Sequence, residues 1–373
     1  MLKELQKRGD FDIRFWTDRA FFKQASAKIH DVDPKIRISV LHSGKIRRYH
    51  SLPLWRQLLR WRTIVGPNLR DGFLLGLGVV ESFFRLLGWR PDVIFLKGGY
   101  VCLPVGLAAR VLNIPFVLHD SDTHPGLANR MLARWAAHIG TGAELKYYPY
   151  STHQARYVGI PVDPAFRAFS RSERAAMKKK QGFAADTPLV VVTGGGLGAQ
   201  SINAAIVASL PVLLEATSVL LICGQANYAD LKPKLADYKT SRFQLHAFID
   251  HDMAAVLGAA DVVVARAGAT TLLELATLAR PTILVPNPYL TAGHQLTNAK
   301  QYSNGGAAMI VDEKAMVADS SSLSQPILEL VRDPQRQATM SKAIAQFATP
   351  HAAHDMAELI LAAADHVKSG TIK

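Results

Sequence analysis

The sequence predicts an α/β protein made of two doubly wound, parallel-sheet domains, and three observations carry that prediction. The chain has 373 residues, which at roughly 150 residues per domain favours two domains over one. Short, wholly apolar runs recur along it, separated by stretches with helical spacing. Runs of that kind mark strands buried on both faces of a parallel sheet. The composition, 49% apolar and 20% charged, is that of a globular chain and excludes a disordered chain, a coiled coil or a collagen-like fibre.

The elements follow in order. Leu2 and Leu5 stand three apart in a short opening helix that Gly9 stops, and Phe11, Ile13 and Phe15 then alternate as in a strand. The first domain continues through Val93-Ile94-Phe95-Leu96 and Pro115-Phe116-Val117-Leu118. The stretch 159–167, with Gly159, Pro161 and Pro164, reads as a linker between domains at 1–158 and 168–345, leaving a C-terminal helix at 346–373 that packs back on the first domain. The second domain holds Leu189-Val190-Val191-Val192, Val219-Leu220-Leu221-Ile222, Val262-Val263-Val264 and Thr282-Ile283-Leu284-Val285. No fixed short repeat and no low-complexity stretch interrupts this order. Cys102 and Cys223 are the two cysteines, too few and too far apart for a disulfide framework or a cysteine zinc site. The longest apolar run, 73–80, stops at Glu81, short of the ~18 residues of a membrane span. The opening residues lack the apolar core of a signal peptide, so the sequence reads as a soluble, cytosolic chain.

Charge is unevenly placed. Residues 1–157 carry 24 Lys/Arg against 12 Asp/Glu, whereas 158–373 carry 19 against 18. Nine basic residues and no acid lie between Pro34 and Arg70. A local excess of this kind points to an anionic surface or partner. No nucleic-acid-binding module surrounds it, so nucleic acid is not expected.

Ligands in doubly wound folds sit beyond the carboxyl ends of the strands, and the loops there are unusual. Thr193 leads into Gly194-Gly195-Gly196-Leu197-Gly198-Ala199-Gln200-Ser201, where glycines let the backbone approach a ligand and a helix start offers N–H groups to an anion. A nicotinamide site would need an acid at the end of the next strand, where Cys223-Gly224-Gln225 stand instead. A second loop reads Arg266-Ala267-Gly268-Ala269-Thr270-Thr271-Leu272-Leu273-Glu274. Its small residues and hydroxyls suit a diphosphate, and Arg266 supplies positive charge there or sits in a surface ion pair. Glu274 accepts two ribose hydroxyls or complements the helix dipole. A third loop carries His294 and Gln295, either sugar contacts or ordinary polar residues. In the first domain, Lys97-Gly98-Gly99-Tyr100 follows one strand and His119-Asp120-Ser121-Asp122-Thr123-His124 the next. That second cluster has the acids and histidines of acid/base chemistry, or caps the following helix through Asp122 or Thr123.

Taken together, these segments resemble the MurG-type N-acetylglucosaminyltransferases of peptidoglycan synthesis, over nearly the whole chain. The matching stretches are Gly98-Gly99-Tyr100, His119 to Asn129, Gly159 to Val162, Gly194 to Asn203, Phe248-Ile249-Asp250, Arg266 to Glu274, and His294-Gln295 with Asn298-Ala299. The resemblance implies a GT-B fold, two Rossmann-like domains with a cleft between them. It implies that the second domain binds UDP-N-acetylglucosamine: uracil near Phe248 and Ile249, ribose on Glu274, diphosphate at the Ala269–Thr271 helix start and sugar facing His294 and Gln295, with Gly196, Gln200, Arg266, Gly268, Leu272 and Leu273 also among the substrate-binding residues. The first domain, through Gly99, Tyr100 and Asp122, would hold an undecaprenyl-diphosphate-linked muramoyl-pentapeptide. The reaction would invert the anomeric centre, with no metal and no cofactor.

Departures from the family pattern matter equally. Its first strand and a Gly-rich loop ending in histidine find no match before Met1, so an upstream segment or a separate chain is expected to supply them. In their place Asp122 and His124 stand as candidate catalytic residues. Asp163 replaces a usual arginine, Gly196 a serine and Asp122 an asparagine. Another UDP-sugar enzyme of the fold, a lipid glycosyltransferase or an epimerase, remains an alternative, as does a non-catalytic UDP-sugar-binding subunit. Residues 34–90, basic and then apolar, are expected to meet an anionic membrane surface peripherally, on the cytoplasmic face, unless 73–87 is a core helix.

Overall fold

The apolar runs become strands because each is enclosed by helices on both faces. The computed structural model describes residues 1–44, 60–195, 198–238, 240–288 and 293–368. Its chain divides into two units, Met1–Pro161 with His351–Lys373, and Val162–Pro350.

Unit 1 contains β1 (Arg14–Thr17), β2 (Arg37–Val40), β3 (Ile94–Leu96), β4 (Phe116–Asp120), β5 (His138–Thr141) and β6 (Ala155–Tyr157). They lie in two parallel sheets, β1-β2 and β3-β4-β5-β6. The strand expected around Phe11 to Phe15 starts later, at Arg14, and Phe11 is left exposed. Phe116, Leu118 and Ile139 pack with Leu41, Leu86 and Leu132 on one face. On the other, Val117 and Val158 meet Met356, Ile360 and Ala363 of the final helix, Ala352–Lys368.

One helix of unit 1 is inverted relative to an ordinary amphipathic one. Gly66–Trp89 buries Asp71, Gly78, Ser82 and Leu86, a narrow face of mostly small residues. A Cβ at Gly78 would strike the carbonyl of His42, so only glycine admits that close approach. Leu69, Phe73, Leu77, Val80, Phe84 and Leu87 are between 42% and 68% exposed. Spaced three and four apart, they form one apolar stripe. Residues 73–87 are therefore not a core helix. The continuous helix from Arg62 to Trp89 is also long and apolar enough to cross a membrane by length and composition. The uninterrupted-run reading missed this because Glu81 and Arg85 break the run without breaking the helix. The basic residues between Lys45 and Arg56 lie outside the described residues.

Unit 2 contains β7 (Leu189–Thr193), β8 (Ser218–Ile222), β9 (Phe243–His246), β10 (Val262–Ala265), β11 (Thr282–Leu284) and β12 (Met309–Ile310). All are parallel, in the order β12-β11-β10-β7-β8-β9, which is the doubly wound order with its switch point between β7 and β10. Alternation runs to two cores rather than to core and solvent. Val190, Val192, Val219, Leu221, Val262 and Val264 face one; Leu189, Val191, Leu220, Ile222, Val263 and Ala265 face the other. Each Val, Leu or Ile side chain among them contributes roughly 1.5–3 kcal/mol on burial.

Candidate functional site

The switch point of unit 2 brings two of the three loops singled out above onto neighbouring strands, because β7 and β10 pair directly. After β7, the Gly195 N–H donates to Thr193 Oγ1 (3.2 Å) and the Gly198 N–H to the Gly195 carbonyl (2.9 Å). Gly195 and Gly198 both take positive φ, +77° and +74°. A Cβ at Gly198 would meet the Cys223 carbonyl, so the turn requires glycine. Gly196 lies outside the described residues. Exposed Gln200 opens the helix Gln200–Ala216, whose N-terminus has no side-chain cap. The end of β8 is sealed by Asn203 Nδ2 and Asn227 Nδ2, each donating to the Cys223 carbonyl at 2.9 Å. No acid stands there to hold a nicotinamide ribose.

After β10, Gly268 heads the helix Ala269–Leu278, again without a side-chain cap. The first intrahelical donor is Leu272, to the Gly268 carbonyl (3.0 Å), which leaves the N–H groups of Ala269, Thr270 and Thr271 at the helix mouth. Leu272 and Leu273, also expected among the substrate contacts, are buried, 1% and 6% exposed, and the Leu272 N–H is taken up by the Gly268 carbonyl. Glu274 is the sixth helical residue and half-buried, past the first turn where a dipole interaction is worth having.

Arg266 is not a surface charge. Its side chain is 11% exposed and meets Glu313, 10% exposed, at 2.5 Å. It also donates to the Val285 carbonyl (2.9 Å) and Ser201 Oγ (3.0 Å), and the Ser201 hydroxyl in turn donates to Glu313. Burial would raise the Glu313 pKa, but the hydrogen bonds from Arg266 and Ser201 outweigh it and hold the carboxyl below its usual range. One guanidinium thus ties together the segments after β7, β10 and β11. Sequence reading missed Ser201 and Glu313 as partners, since Glu313 lies 47 residues from Arg266.

After β11, His294 opens the helix His294–Asn304 behind Gly293, φ +65°. Gln295 is buried and its Oε1 accepts the Asn287 N–H (2.9 Å); Asn298 Nδ2 donates to the Ala267 carbonyl (3.1 Å). Phe248 is 40% exposed beyond β9, while Ile249 packs on the core. With neighbouring strands about 4.8 Å apart, the candidate donor residues from β9 to β11 span roughly 19 Å of sheet edge. Asp163 is exposed and occupied in a turn, accepting the Ala165 N–H at 2.9 Å.

In unit 1 the structure divides the strand-end cluster. His119 is 1% exposed, its Nε2–H donating to the Gly159 carbonyl at 2.8 Å. Burial, aided by the charge of Lys97, lowers its pKa to about 4, so it stays neutral and ties β4 to Gly159. Asp120 is buried too, accepting Asn129 Nδ2 (2.6 Å) and the Tyr150 hydroxyl; burial raises its pKa despite those bonds. Both are consumed in structure. Half-buried Asp122 and exposed His124 remain, and neither caps the next helix, whose N-cap is Gly126. Gly98 and Gly99 take φ of +94° and +88°. Tyr100 beside them donates to Asp18 Oδ2 at 2.5 Å, and burial and that carboxylate push its pKa to about 12. Buried Asp18 carries no sequence signal beyond its position just after a strand.

This two-unit arrangement has known counterparts. Residues 2–141 match the glycosyltransferase family 28 N-terminal domain and residues 189–356 its C-terminal domain. A UDP-N-acetylglucosamine–N-acetylmuramyl-(pentapeptide) pyrophosphoryl-undecaprenol N-acetylglucosamine transferase of Exiguobacterium sibiricum is 33% identical over 302 residues, 80% of this chain and 81% of that protein. The crystal structure of Acinetobacter baumannii MurG aligns with TM-score 0.70 and 26% identity, over 96% of this chain and 93% of that one. A UDP-GlcNAc 2-epimerase from Neisseria meningitidis, bound to UDP-GlcNAc, shares the fold alone: TM-score 0.58, 13% identity, 94% and 98% covered. Both units thus fit the GT-B glycosyltransferase plan, and with each half matched in order the chain belongs to glycosyltransferase family 28.

Proposed function

We propose that this chain transfers N-acetylglucosamine from UDP-N-acetylglucosamine to an undecaprenyl-diphosphate-linked N-acetylmuramoyl-pentapeptide, forming the disaccharide lipid of peptidoglycan synthesis. The observation that carries the proposal is the uncapped start of Ala269–Leu278 at the switch point, with Glu274 in the next turn. The N–H groups of Ala269, Thr270 and Thr271 take the diphosphate, where helix dipole and preorganised donors stabilise the charge that builds on departing UDP. Glu274 accepts the ribose hydroxyls, Phe248 and Ile249 flank the uracil, and His294 and Gln295 face the sugar. The acceptor hydroxyl oxygen bonds to the anomeric carbon as the carbon–oxygen bond to the diphosphate breaks. Asp122 takes the hydroxyl proton, with His124 the alternative base. Gly99 and Tyr100 border the acceptor.

The lipid-linked acceptor calls for membrane attachment, and the apolar stripe of Gly66–Trp89 provides it. Six half-exposed side chains, each gaining roughly 1 kcal/mol on sinking into acyl chains, hold unit 1 peripherally on the cytoplasmic leaflet. Basic residues of 34–70 add about 1 kcal/mol each near anionic lipid.

The test is product analysis with labelled UDP-N-acetylglucosamine, with and without the lipid-linked acceptor. A disaccharide lipid formed only with acceptor is expected. Release of an epimerised sugar without acceptor, or nucleotide binding without turnover under either condition, refutes the proposal.

A further inference from the structure

A second site lies in unit 1, behind the strand-end loop that carries Asp120. It is an open cavity of about 300 Å³, walled on one side by Arg130, Ala133 and Arg134 and on the other by the chain from Pro149 to Ser151, with Gln154 between. That volume is at the small end of ligand pockets. Its chemistry is one-sided. Arg130 and Arg134 are four residues apart, so they project from one face of the Leu127–Leu132 helix and its 3-10 extension. The Arg134 guanidinium lies 4.0 Å over the Trp135 ring, which sets its plane. Among the described residues neither guanidinium makes a hydrogen bond or ion pair, whereas those of Arg85, Arg167 and Arg266 each meet a carboxylate.

The remaining walls supply no counter-charge. No carboxylate lines the cavity. Asp120, behind Tyr150, is buried and already accepts from Tyr150 and Asn129. Gln154 Nε2 is spent on the carbonyls of Ala133 (2.8 Å) and Ala136 (2.5 Å), fixing the wall. Ser151 Oγ accepts the His153 N–H (3.3 Å), so its own hydrogen is left to donate. Two guanidinium forks and a hydroxyl, all donors, line one small space. Like charges one helical turn apart repel, and an anion between them removes that repulsion. A carboxylate has two oxygens and is satisfied by one fork. A phosphomonoester presents three terminal oxygens and can occupy both forks and the hydroxyl, and a phosphodiester presents two on a tetrahedral centre, one for each fork.

We propose that this cavity is a binding site for a phosphoryl anion, held between Arg130 and Arg134. The phosphoryl group comes either from a small soluble phosphomonoester or from a phospholipid headgroup, and the two sources are separable. The full chain is titrated with inorganic phosphate and glycerol phosphate at ionic strength held constant with chloride. It is also sedimented with phosphatidylcholine vesicles with and without phosphatidylglycerol. R130Q/R134Q is expected to lose one phosphate-binding event at least tenfold, since two charge-assisted contacts disappear, while UDP binding is unchanged. Loss confined to the vesicle arm assigns the site to lipid; loss in the phosphate arm assigns it to a soluble ligand. R130K/R134K keeps the charge without the forks and is expected to bind several-fold more weakly than the parent. Equal binding by parent and both variants in both arms overturns the proposal, as does preference for neither phosphate nor anionic vesicles by the parent. Full binding by the lysine variant with loss in the glutamine one also overturns it, since a diffuse positive field would then suffice.

Discussion

Replacing Glu313 tests whether the Arg266 clamp holds the donor loops in place. Glu313→Ala leaves the Arg266 guanidinium, 11% exposed, without its counter-charge while its bonds to Val285 and Ser201 remain. Breaking one side of a buried pair costs about 3–5 kcal/mol. With a urea slope of roughly 2 kcal/mol per molar for a unit of this size, the unfolding midpoint of unit 2 should fall by about 1.5–2.5 M. Unit 1 contains neither residue, so a two-transition urea curve followed by circular dichroism should move in one transition only. The clamp also joins the segments after β7, β10 and β11, so UDP affinity by calorimetry should drop about tenfold. Acid dependence provides a second check. The Glu313 carboxyl is depressed in the folded chain, so its contribution is complete above the unfolded pKa, about 4.3, and is lost as pH falls through the folded value. Glu313→Gln should flatten that acid limb. A midpoint shift under 0.5 M with unchanged UDP affinity would show that the pair is no clamp.

Other outcomes follow from the same geometry. Glu274→Ala should weaken UDP binding about ten- to hundredfold, a hydrogen bond to a charged group being worth roughly 1.5–3 kcal/mol; equal isotherms for parent and variant would remove Glu274 from the ribose. Asp122→Asn should lower kcat by about 10²–10⁴ with UDP affinity unchanged, and full turnover would pass the base role to His124. Phe73→Glu with Phe84→Glu should release the chain from anionic vesicles in sedimentation while leaving its melting temperature nearly unchanged, because both rings are exposed; retained binding would place the membrane contact elsewhere. His119, depressed to about 4, stays neutral while the unfolded chain protonates near 6.5. Unit 1 should therefore lose stability as pH falls from about 6.5 towards 4, by up to roughly 3 kcal/mol, and His119→Gln should lessen that slope if it folds.

What the sequence by itself determined is whatever depends on local pattern. Apolar runs of four or five residues bounded by glycine-rich loops placed β4, β7, β8 and β10, because a strand buried on two faces needs no polar residue. The spaced loops after β7, β10 and β11 stood out for the same reason, since a backbone that approaches a ligand needs glycine and small residues wherever it does so. Tertiary structure decided how side chains with identical local signals divide their work. His119 and His124 look alike as sequence; one is enclosed by sheet and helix and bonded to Gly159, and the other faces solvent. Arg266 could read as a ligand hook until Glu313 came in from a distant helix start. The helix Gly66–Trp89 could read as core until Gly78 and Ser82 took the inner face and left Phe73 and Phe84 outside. Burial and charge pairing depend on neighbours far along the chain, and no window of sequence contains them.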